Sequence, residues 1–270
     1  MVYFTECPIC SKNKIKNIYT NKWKKSGFNQ CGFCKMIFQN PQESIDKTKQ
    51  RYNHDYFQYE IQNEENFFNL VKKTIDDFDV LSLLDKGSSI LEIGCATGLF
   101  LKYMDDCGHK STGIEICKES AIYGISKYGV NIINKTLEEA DLREGSFDFI
   151  HFSHLIEHLN NPKDFIEKIY KLLKPDGFIV ITTPNSDGVF SKVFDEDWRC
   201  IVDDHLFLFN KKNLIHLLSK SGFIVDETIT WGSIPSGKVH KVIKNMTDRL
   251  VKITGTGDVV SVLAYKNFHY

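Results

Sequence analysis

Residues 88–98 read SSILEIGCATG, and residues 111–116 read STGIEI. The first segment is an apolar run followed by a glycine-rich turn, which is typical of a buried strand that leads into a helix. The small residues of the turn let a ligand approach the backbone, and the helix that follows offers unpaired N–H groups. The second segment is another apolar strand, which ends near an acid, Glu115. This strand, turn, helix and strand decide the fold class.

The same alternation continues along the chain. Strands that alternate with helices pair in parallel through right-handed crossovers, so the sequence predicts an α/β fold with a Rossmann-like, mostly parallel, seven-stranded sheet. The last two strands show no helix of their own and predict an antiparallel hairpin at one sheet edge. The predicted strands are 88–93, 111–116, 130–134, 147–153, 177–183, 222–230 and 259–266, and the predicted helices are 64–84, 99–108, a segment ending near 128, 162–173 and 211–220.

Four of the eight cysteines form two close pairs near the N-terminus, CPIC at 7–10 and CGFC at 31–34. Two C-x-x-C pairs at this separation have the spacing of a four-thiolate zinc site, in which the metal holds the fold and has no open position for catalysis. Two disulfides are the alternative, which a reducing cytosol disfavours. The sequence therefore predicts a small ribbon with structural zinc, whose ligands are Cys7, Cys10, Cys31 and Cys34.

Composition bounds the class of protein. The chain has 270 residues, is 42% hydrophobic and 26% charged, and carries a formal net charge of −1. This balance argues against a protein that wraps nucleic acid globally. No apolar run approaches the roughly 18 residues of a membrane span, and the first residues lack the pattern of a signal peptide, so a cytoplasmic location is expected. Residues 1–40 hold seven lysines and one acid, so the ribbon either meets phosphate or presents a solvated basic face.

The chain is predicted to divide into a zinc ribbon at 1–40, an aromatic-rich linker and helix at 41–86, and the α/β domain at 87–270. The tyrosine-rich segment 51–59 either packs between ribbon and main domain or forms a flap over a ligand. Segment 184–210 is long for a connection and predicts a lid. Its polar and aromatic side chains include Trp198, Arg199, Asp203, Asp204 and His205.

These motifs resemble those of class I S-adenosylmethionine (SAM)-dependent methyltransferases across about residues 87–266. LEIGCATG at 91–98 is similar to the first motif of that family, and GIE at 113–115 to the second. LEEADLREGSFDFIHFSHLIEHLNNP at 137–162 resembles the motifs of the third and fourth strands, and LLKPDGFIVITTPN at 172–185 resembles the fifth strand with its lead-in. A nicotinamide site would need G-x-G-x-x-G, which is absent here.

The resemblance implies SAM as cofactor. Glu115 would bind the ribose hydroxyls, and Ile116 would pack on adenine. At Thr136 the family often has an acid that contacts the adenine amine, and Glu138 could replace it. Ala96 stands where glycine is common. The residues implied to bind the cofactor are Glu92, Gly94, Ala96, Gly98, Glu115, Ile116, Thr136, Leu137 and Ser153.

The segment 154–158, HLIEH, matches the H-x-x-E-H string of inverted zinc metalloproteases. Those enzymes need the string inside a long helix, whereas here a strand precedes it and Pro162 soon follows, so the protease interpretation is disfavoured. In the resembled family this position faces the transferable methyl group. Amine methyltransferases typically carry Asn/Asp-Pro-Pro-Tyr/Phe at this position, and its absence at 153–156 favours an oxygen acceptor.

A histidine suits an oxygen acceptor because imidazole can take the hydroxyl proton near neutral pH. We expect His154 or His205 to be the proton acceptor and His158 to be a supporting residue. The layout as a whole resembles bacterial methyltransferases of surface-polysaccharide and sugar pathways, which implies a small sugar, or a phosphorylated or nucleotide-linked sugar, as acceptor. Two alternatives stay open: methylation of RNA through the basic ribbon, and a SAM-binding module without transfer.

Overall fold

The computed structural model describes residues 1–20, 27–44, 47, 49–233 and 240–267. The strands are β1 (Ile15–Thr20), β2 (Gly27–Cys31), β3 (Ile37–Asn40), β4 (Ser89–Ile93), β5 (Lys110–Ile114), β6 (Ile132–Ile133), β7 (Phe147–Ser153), β8 (Leu173–Pro184), β9 (Phe207–Leu208), β10 (Phe223–Trp231) and β11 (Val259–Lys266). The helices are α1 (His54–Asp77), α2 (Leu99–Asp106), α3 (Lys118–Tyr128), α4 (Pro162–Leu172), α5 (Val189–Phe194), α6 (Lys211–Lys220) and α7 (Lys241–Thr254). Single 3₁₀ turns lie at Val80–Leu83, Ile156–His158 and Asp195–Asp197.

A seven-stranded sheet forms the centre of the molecule, in the order β10-β11-β8-β7-β4-β5-β6. Strand β4 pairs in parallel with β5 and β7, and β7 pairs in parallel with β8. Strand β11 is antiparallel to both β8 and β10. The expected α/β fold, with a mostly parallel sheet and antiparallel strands at one edge, is confirmed.

Both faces of this sheet are buried, as is usual where crossover helices cover a parallel sheet. Because successive strand side chains point to opposite faces, neighbouring residues enter different cores. Leu91, Ile150 and Ile179 pack on the side of α4, α6 and the ribbon. Their neighbours Ile90, Phe149, Phe178 and Val180 pack with side chains of α1 and α2.

The two edge strands differ from the expectation in one respect. A helix, α7, lies between β10 and β11, so the expectation that these strands have no helix of their own was wrong. The helix is held against the sheet where the Thr230 hydroxyl donates to the Val251 carbonyl at 3.2 Å. Its sequence, KVIKNMTDRLVKIT, has its charged residues on one side and apolar residues on the other, a helical pattern that the sequence reasoning missed.

Helix α1 also differs from the expectation of a helix over 64–84. It starts ten residues earlier, at His54, because the Asn53 side chain caps it by accepting from the N–H groups of Asp55 and Tyr56. It ends at Asp77, and Asp79 then adopts a left-handed φ of 48°. Part of the tyrosine-rich segment is therefore helical, with Tyr56 and Tyr59 inside α1.

The ribbon carries an antiparallel sheet in the order β1-β2-β3-β9. Its fourth strand, β9, comes from the segment 184–210, and Ile37 and Phe38 pair with Leu208 and Phe207. The ribbon and this segment also share buried apolar residues, which are Cys7, Cys31, Phe38, Leu206, Phe207 and Phe209. The segment predicted as a lid is thus tied to the N-terminal ribbon.

Within the described residues, no helix is both long enough and apolar enough to cross a bilayer.

Candidate active site and cysteine cluster

The loop at 94–98 leaves β4 in a conformation that few side chains tolerate. Gly94, Ala96 and Gly98 all have positive φ, at 73°, 48° and 76°. A Cβ added at Gly98 would lie 2.9 Å from Val130 Cγ2, closer than real Cβ atoms come. The loop is fixed to the neighbouring strand because the N–H groups of Gly94 and Cys95 donate to the Ile114 carbonyl at 2.8 and 3.1 Å.

Glu115 lies just after β5 and holds this loop from the other side. Its Oε2 accepts from the N–H of Ala96 at 2.9 Å, and its Oε1 accepts from the N–H of Cys117 at 2.7 Å. The side chain is buried. Burial and the nearby Glu60 carboxylate raise the pKa of Glu115 to about 8, against the lowering effect of the backbone N–H groups.

Glu60 was missed by the sequence reasoning. It lies on the buried face of α1, four residues after Tyr56, and its carboxylate accepts a hydrogen bond from the Ser120 hydroxyl. Burial raises the pKa of Glu60 to about 7, while hydrogen bonds from Ser120 and Tyr56 act in the opposite direction. An acid among aromatic residues at helical spacing was the signal that could have found it.

Helix α1 closes one side of a cavity of about 1330 Å³. Eight of the nine residues expected to bind the cofactor line this cavity, and the ninth, Gly98, packs behind the loop. Tyr52, Tyr56 and Tyr59 line it too, which favours the flap over the packing alternative for the tyrosine-rich segment. The geometry brings these residues together, and their individual roles stay predictions.

Ile116, Thr136, Leu137 and Glu138 lie at one end of the cavity. The Asn134 side-chain amide donates to the carbonyls of Glu115 and Ile116 at 2.8 and 3.0 Å. The ammonium of Lys168 donates to the Leu137 carbonyl at 2.6 Å. These bonds fix the backbone at the end where the resemblance places adenine.

Glu92 forms a buried pair with His151. Its Oε1 lies 3.2 Å from His151 Nδ1, and both side chains are almost fully buried. Its second oxygen, Oε2, is buried without a hydrogen-bond partner. Burial raises the pKa of Glu92, and His151 opposes that shift. An unpartnered carboxylate oxygen on a residue that lines the cavity suits a ligand with a positive group.

The other end of the cavity follows β7. His154 comes directly after this strand with a φ of 52°, and its N–H donates to the Thr182 carbonyl at 2.8 Å. Its Nδ1 lies 3.3 Å from Oε1 of Glu157, whose side chain is only 1% exposed. Glu157 Oε2 accepts from the Thr183 hydroxyl at 2.9 Å. Burial would raise the pKa of Glu157, but the imidazoles of His154, His158 and His205 outweigh it and hold that pKa at about 2.

His158 and His205 face each other, with ring centroids 4.8 Å apart. His158 Nδ1 lies 2.8 Å from the Asp204 carbonyl, and His205 Nδ1 lies 2.9 Å from the Cys200 carbonyl. Burial and the nearby His158 lower the pKa of His205. All three expected catalytic histidines therefore line one cavity with the loop at 94–98, although His205 comes from a distant part of the chain.

The segment 184–210 places its other polar residues differently. Arg199 and Asp204 line the cavity. Trp198 is buried and donates from Nε1 to Asp258 Oδ2 at 3.2 Å, so it packs and does not face the cavity. The Asp203 carbonyl accepts from the Gln39 side chain at 2.9 Å, which ties this segment to the ribbon again.

The four ribbon cysteines converge on one point, with all four sulfurs within 4.8 Å of one another. Cys7 Sγ lies 3.5 Å from Cys34 Sγ, and Cys10 Sγ lies 3.6 Å from Cys31 Sγ. These separations are close to the edge of a tetrahedron with Zn–S bonds of about 2.3 Å, which is roughly 3.8 Å. All four are free thiols, so the disulfide alternative was wrong.

A mostly parallel sheet of this order, with a glycine-rich loop after β4 and an acid after β5, is the architecture of class I SAM-dependent methyltransferases. The chain belongs to the Methyltransferase domain family, whose model matches residues 52–228.

Curated relatives are similar over part of their length. A ubiquinone biosynthesis O-methyltransferase of Dictyostelium discoideum is 30% identical over 116 residues, which is 37% of this chain and 36% of that protein. An S-adenosylmethionine-dependent methyltransferase of Mycolicibacterium smegmatis is 27% identical over 144 residues, 53% of this chain and 54% of that protein. The chain thus spans between about a third and somewhat more than half of the length of these relatives.

Solved structures show the same fold. A chain from the complex of a Haloferax volcanii methyltransferase activator, Trm112, with a methyltransferase superposes with a TM-score of 0.62 at 12% identity, covering 80% of this chain and 96% of that one. A SAM-dependent methyltransferase of Archaeoglobus fulgidus gives 0.56 at 21% identity, covering 78% and 99%. At these identities the likeness concerns the fold alone.

Proposed function

We propose that the chain transfers the methyl group of SAM to an oxygen of a small acceptor. The observation that carries this proposal is the His154–Glu157 pair at the end of β7, in which His154 lines the cavity that also holds the loop at 94–98. A buried carboxylate that holds one imidazole nitrogen leaves the other nitrogen to take a proton. The O-methyltransferase relatives are consistent with an oxygen acceptor.

The cavity fits SAM by the hydrogen-bond acceptors that it offers. SAM carries a sulfonium and an ammonium group, and the described lining offers the carboxyl groups of Glu92, Glu115 and Glu60. The buried, unpartnered Oε2 of Glu92 could accept from the ammonium group. The lone pairs that Glu115 has left after its two backbone bonds could accept from ribose hydroxyls. Ile116, Thr136, Leu137 and Ser153 would complete the cofactor site.

When bound, SAM supplies an electrophilic methyl group for an in-line displacement. The protein has to align the acceptor oxygen with that methyl group, and alignment alone can supply a large part of the rate. In our proposal His154 takes the hydroxyl proton, with Glu157 orienting its ring and stabilising the imidazolium. His205 is the alternative proton acceptor, and His158 supports it across the 4.8 Å ring contact.

The acceptor that we favour is a sugar, or a phosphorylated or nucleotide-linked sugar derivative. Its support is the resemblance of the chain layout and the presence of three arginines in the cavity lining, Arg51, Arg199 and Arg249. Arg51 Nη1 is buried without a hydrogen-bond partner, and a guanidinium group suits phosphate or carboxylate.

The second part of the proposal is a structural zinc ion on the four ribbon thiolates. The sulfur separations fit the ion, and Ser11 and Lys35, which each follow the second cysteine of a pair, both adopt positive φ, at 55° and 60°. Two equivalent turns thus present two thiolates each to one centre. In this proposal residues 1–40 form a metal-held unit, 41–86 the segment that covers the cavity, and 87–270 the catalytic domain.

Binding and turnover measurements test the proposal. Isothermal titration should show binding of S-adenosylhomocysteine, and its absence would contradict the assignment of SAM. Turnover of SAM with sugar, sugar phosphate and nucleotide-sugar acceptors separates an enzyme from a binding module. Binding of RNA that weakens steeply with salt would instead support the RNA alternative. Three ribbon lysines on which that alternative draws, Lys22, Lys24 and Lys25, lie outside the described residues.

A further inference from the structure

We propose that Glu157, His158 and His205 bind a divalent transition-metal ion at the acceptor end of the cavity. One ligand atom from each of these residues lies within 4.8 Å of the others. The three side chains come from two distant segments, since His205 reaches the site through the segment that carries β9. This inference deepens the proposed function and rests on it, because it names what the same site does to the acceptor.

The two imidazoles are oriented as metal ligands are. Each has its Nδ1 within hydrogen-bond distance of a backbone carbonyl, Asp204 O for His158 and Cys200 O for His205. A carbonyl accepts only, so the proton lies on Nδ1 and the lone pair on Nε2. Histidines that bind metals commonly donate their second N–H to a carbonyl in this way, which fixes tautomer and ring direction.

Glu157 supplies the negative ligand and needs a cation. It is completely buried, Oε2 accepts from the Thr183 hydroxyl, and Oε1 lies 3.3 Å from His154 Nδ1. A buried ionised carboxylate is costly unless it is paired with a positive charge. Two of its neighbours, His158 and His205, have Nδ1 against a backbone carbonyl and so keep a lone pair on Nε2. A metal ion between the three groups adds a positive charge beside this carboxylate.

Two imidazole nitrogens and one carboxylate oxygen suit zinc, manganese or iron(II), and three protein ligands leave coordination positions open. An acceptor with two adjacent hydroxyl groups, a vicinal diol or a catechol, could fill two of them. Metal coordination lowers the pKa of a bound hydroxyl group. The hydroxyl proton then passes to His154, whose Nδ1 lies 3.3 Å from Glu157, the O–CH₃ bond forms, and the C–S bond of SAM breaks. The metal ion keeps its charge throughout.

Metal binding by the full-length protein tests this inference without reference to turnover. After equilibration with ZnCl₂ and desalting, we expect about two zinc ions per chain, one in the ribbon and one at this site. Glu157→Gln and His205→Ala should each leave about one. His216→Ala, which removes an exposed histidine on α6, is the matched control and should keep both. Titration with Mn²⁺, followed by electron paramagnetic resonance, should show binding that both site variants weaken more than the roughly 10–100-fold typical of losing an outer-shell partner.

S-adenosylhomocysteine affinity is measured on every variant to detect misfolding. If the wild-type chain holds one zinc, or if Glu157→Gln and His205→Ala bind zinc and Mn²⁺ as the wild type does, the inference is overturned. If the cofactor product fails to bind the wild-type chain, the proposed function fails instead. The two failures are therefore distinguishable.

Discussion

Glu115 Oε2 accepts a hydrogen bond of 2.9 Å from the backbone N–H of Ala96. Its other oxygen accepts from the N–H of Cys117, so a single carboxylate links the loop after β4 to the segment after β5. A glutamine cannot replace it, because its NH₂ group would face a backbone N–H donor.

We predict from this link that Glu115→Gln weakens S-adenosylhomocysteine binding roughly tenfold to hundredfold, the size expected when a buried N–H donor is left without an acceptor. Glu115→Ala should weaken it further. Isothermal titration measures both. The control is Glu119→Gln, an exposed acid four residues away, which should bind normally. Equal affinity in the Glu115 variants would show that this carboxylate does not bind the cofactor.

The buried acids Glu60 and Glu115 predict a pH dependence of stability. Their pKa values in the folded protein are about 7 and about 8, both raised by burial, above the ordinary value of 4.5. Between about pH 4.5 and pH 8 the folded state thus binds more protons than the unfolded state. The free energy of unfolding therefore falls as pH rises over that interval. The melting temperature of the cofactor-free protein should fall over that interval, and Glu60→Gln should flatten the fall.

For a chain of this size each kcal/mol moves the melting temperature by roughly 2–4 °C, so thermal melts at several pH values resolve the effect. The matched control is Glu65→Gln, which removes an exposed acid on the same helix and should leave the wild-type slope. A Glu60→Gln protein with the same slope as the wild type would contradict the coupling of the two carboxyl groups.

Alanine substitutions at Gly98 and Gly129 distinguish the cost of backbone strain from the cost of a steric clash. Both have positive φ, at 76° and 70°, but a Cβ at Gly98 would lie 2.9 Å from Val130, whereas nothing lies within 4 Å of one at Gly129. Gly129→Ala should cost about 1–2 kcal/mol for the left-handed conformation alone. Gly98→Ala should cost more, because the clash adds to the strain. Chemical denaturation measures the free energy of unfolding of both variants. Equal losses would mean that the surroundings of Gly98 move to accept the added Cβ at no cost.

The cysteine cluster predicts metal-dependent stability of the ribbon. Cys34→Ser should lose one zinc and lower the melting temperature, since a structural zinc contributes directly to folding. Cys107→Ser is the control, because this exposed cysteine lies at the end of α2, away from the cluster. A thiol-reactive mercurial should release the ribbon zinc, which metal analysis then measures. A ribbon that stays folded without metal in the wild-type chain would refute the zinc assignment.

The histidines predict how the proton leaves the acceptor. His154→Ala should lower kcat by about a hundredfold or more if His154 is the general base, with S-adenosylhomocysteine binding unchanged. His205→Ala and His158→Ala are measured beside it together with their zinc content, and a loss of kcat at unchanged zinc content identifies the base. If all three variants keep near-normal kcat, alignment alone drives the transfer and no histidine base is needed.

The sequence alone was sufficient for the central sheet. Strands at 147–153 and 259–266 have the bounds expected from their apolar runs, and α6 has those expected at 211–220. The bounds of these segments follow from the local sequence, because an apolar run between turn residues indicates a buried element without reference to the rest of the chain. The cysteine spacing and the glycine-rich loop at 94–98 are equally local features, so the amino-acid sequence is enough to recognise both.

Only the tertiary structure decided which distant residues contact each other. Glu60 meets Ser120, and β3 meets β9, although about 60 and 170 residues separate the partners. Part of the tyrosine-rich segment became a helix because of the Asn53 cap, and the fold buried Glu157 beside three histidines. The spacing of apolar side chains along a helix or strand indicates which of its faces is buried, but not which distant element covers that face. Long-range packing settles that pairing, and it places Glu60 in the cavity lining and Glu157 beside the histidines that line it.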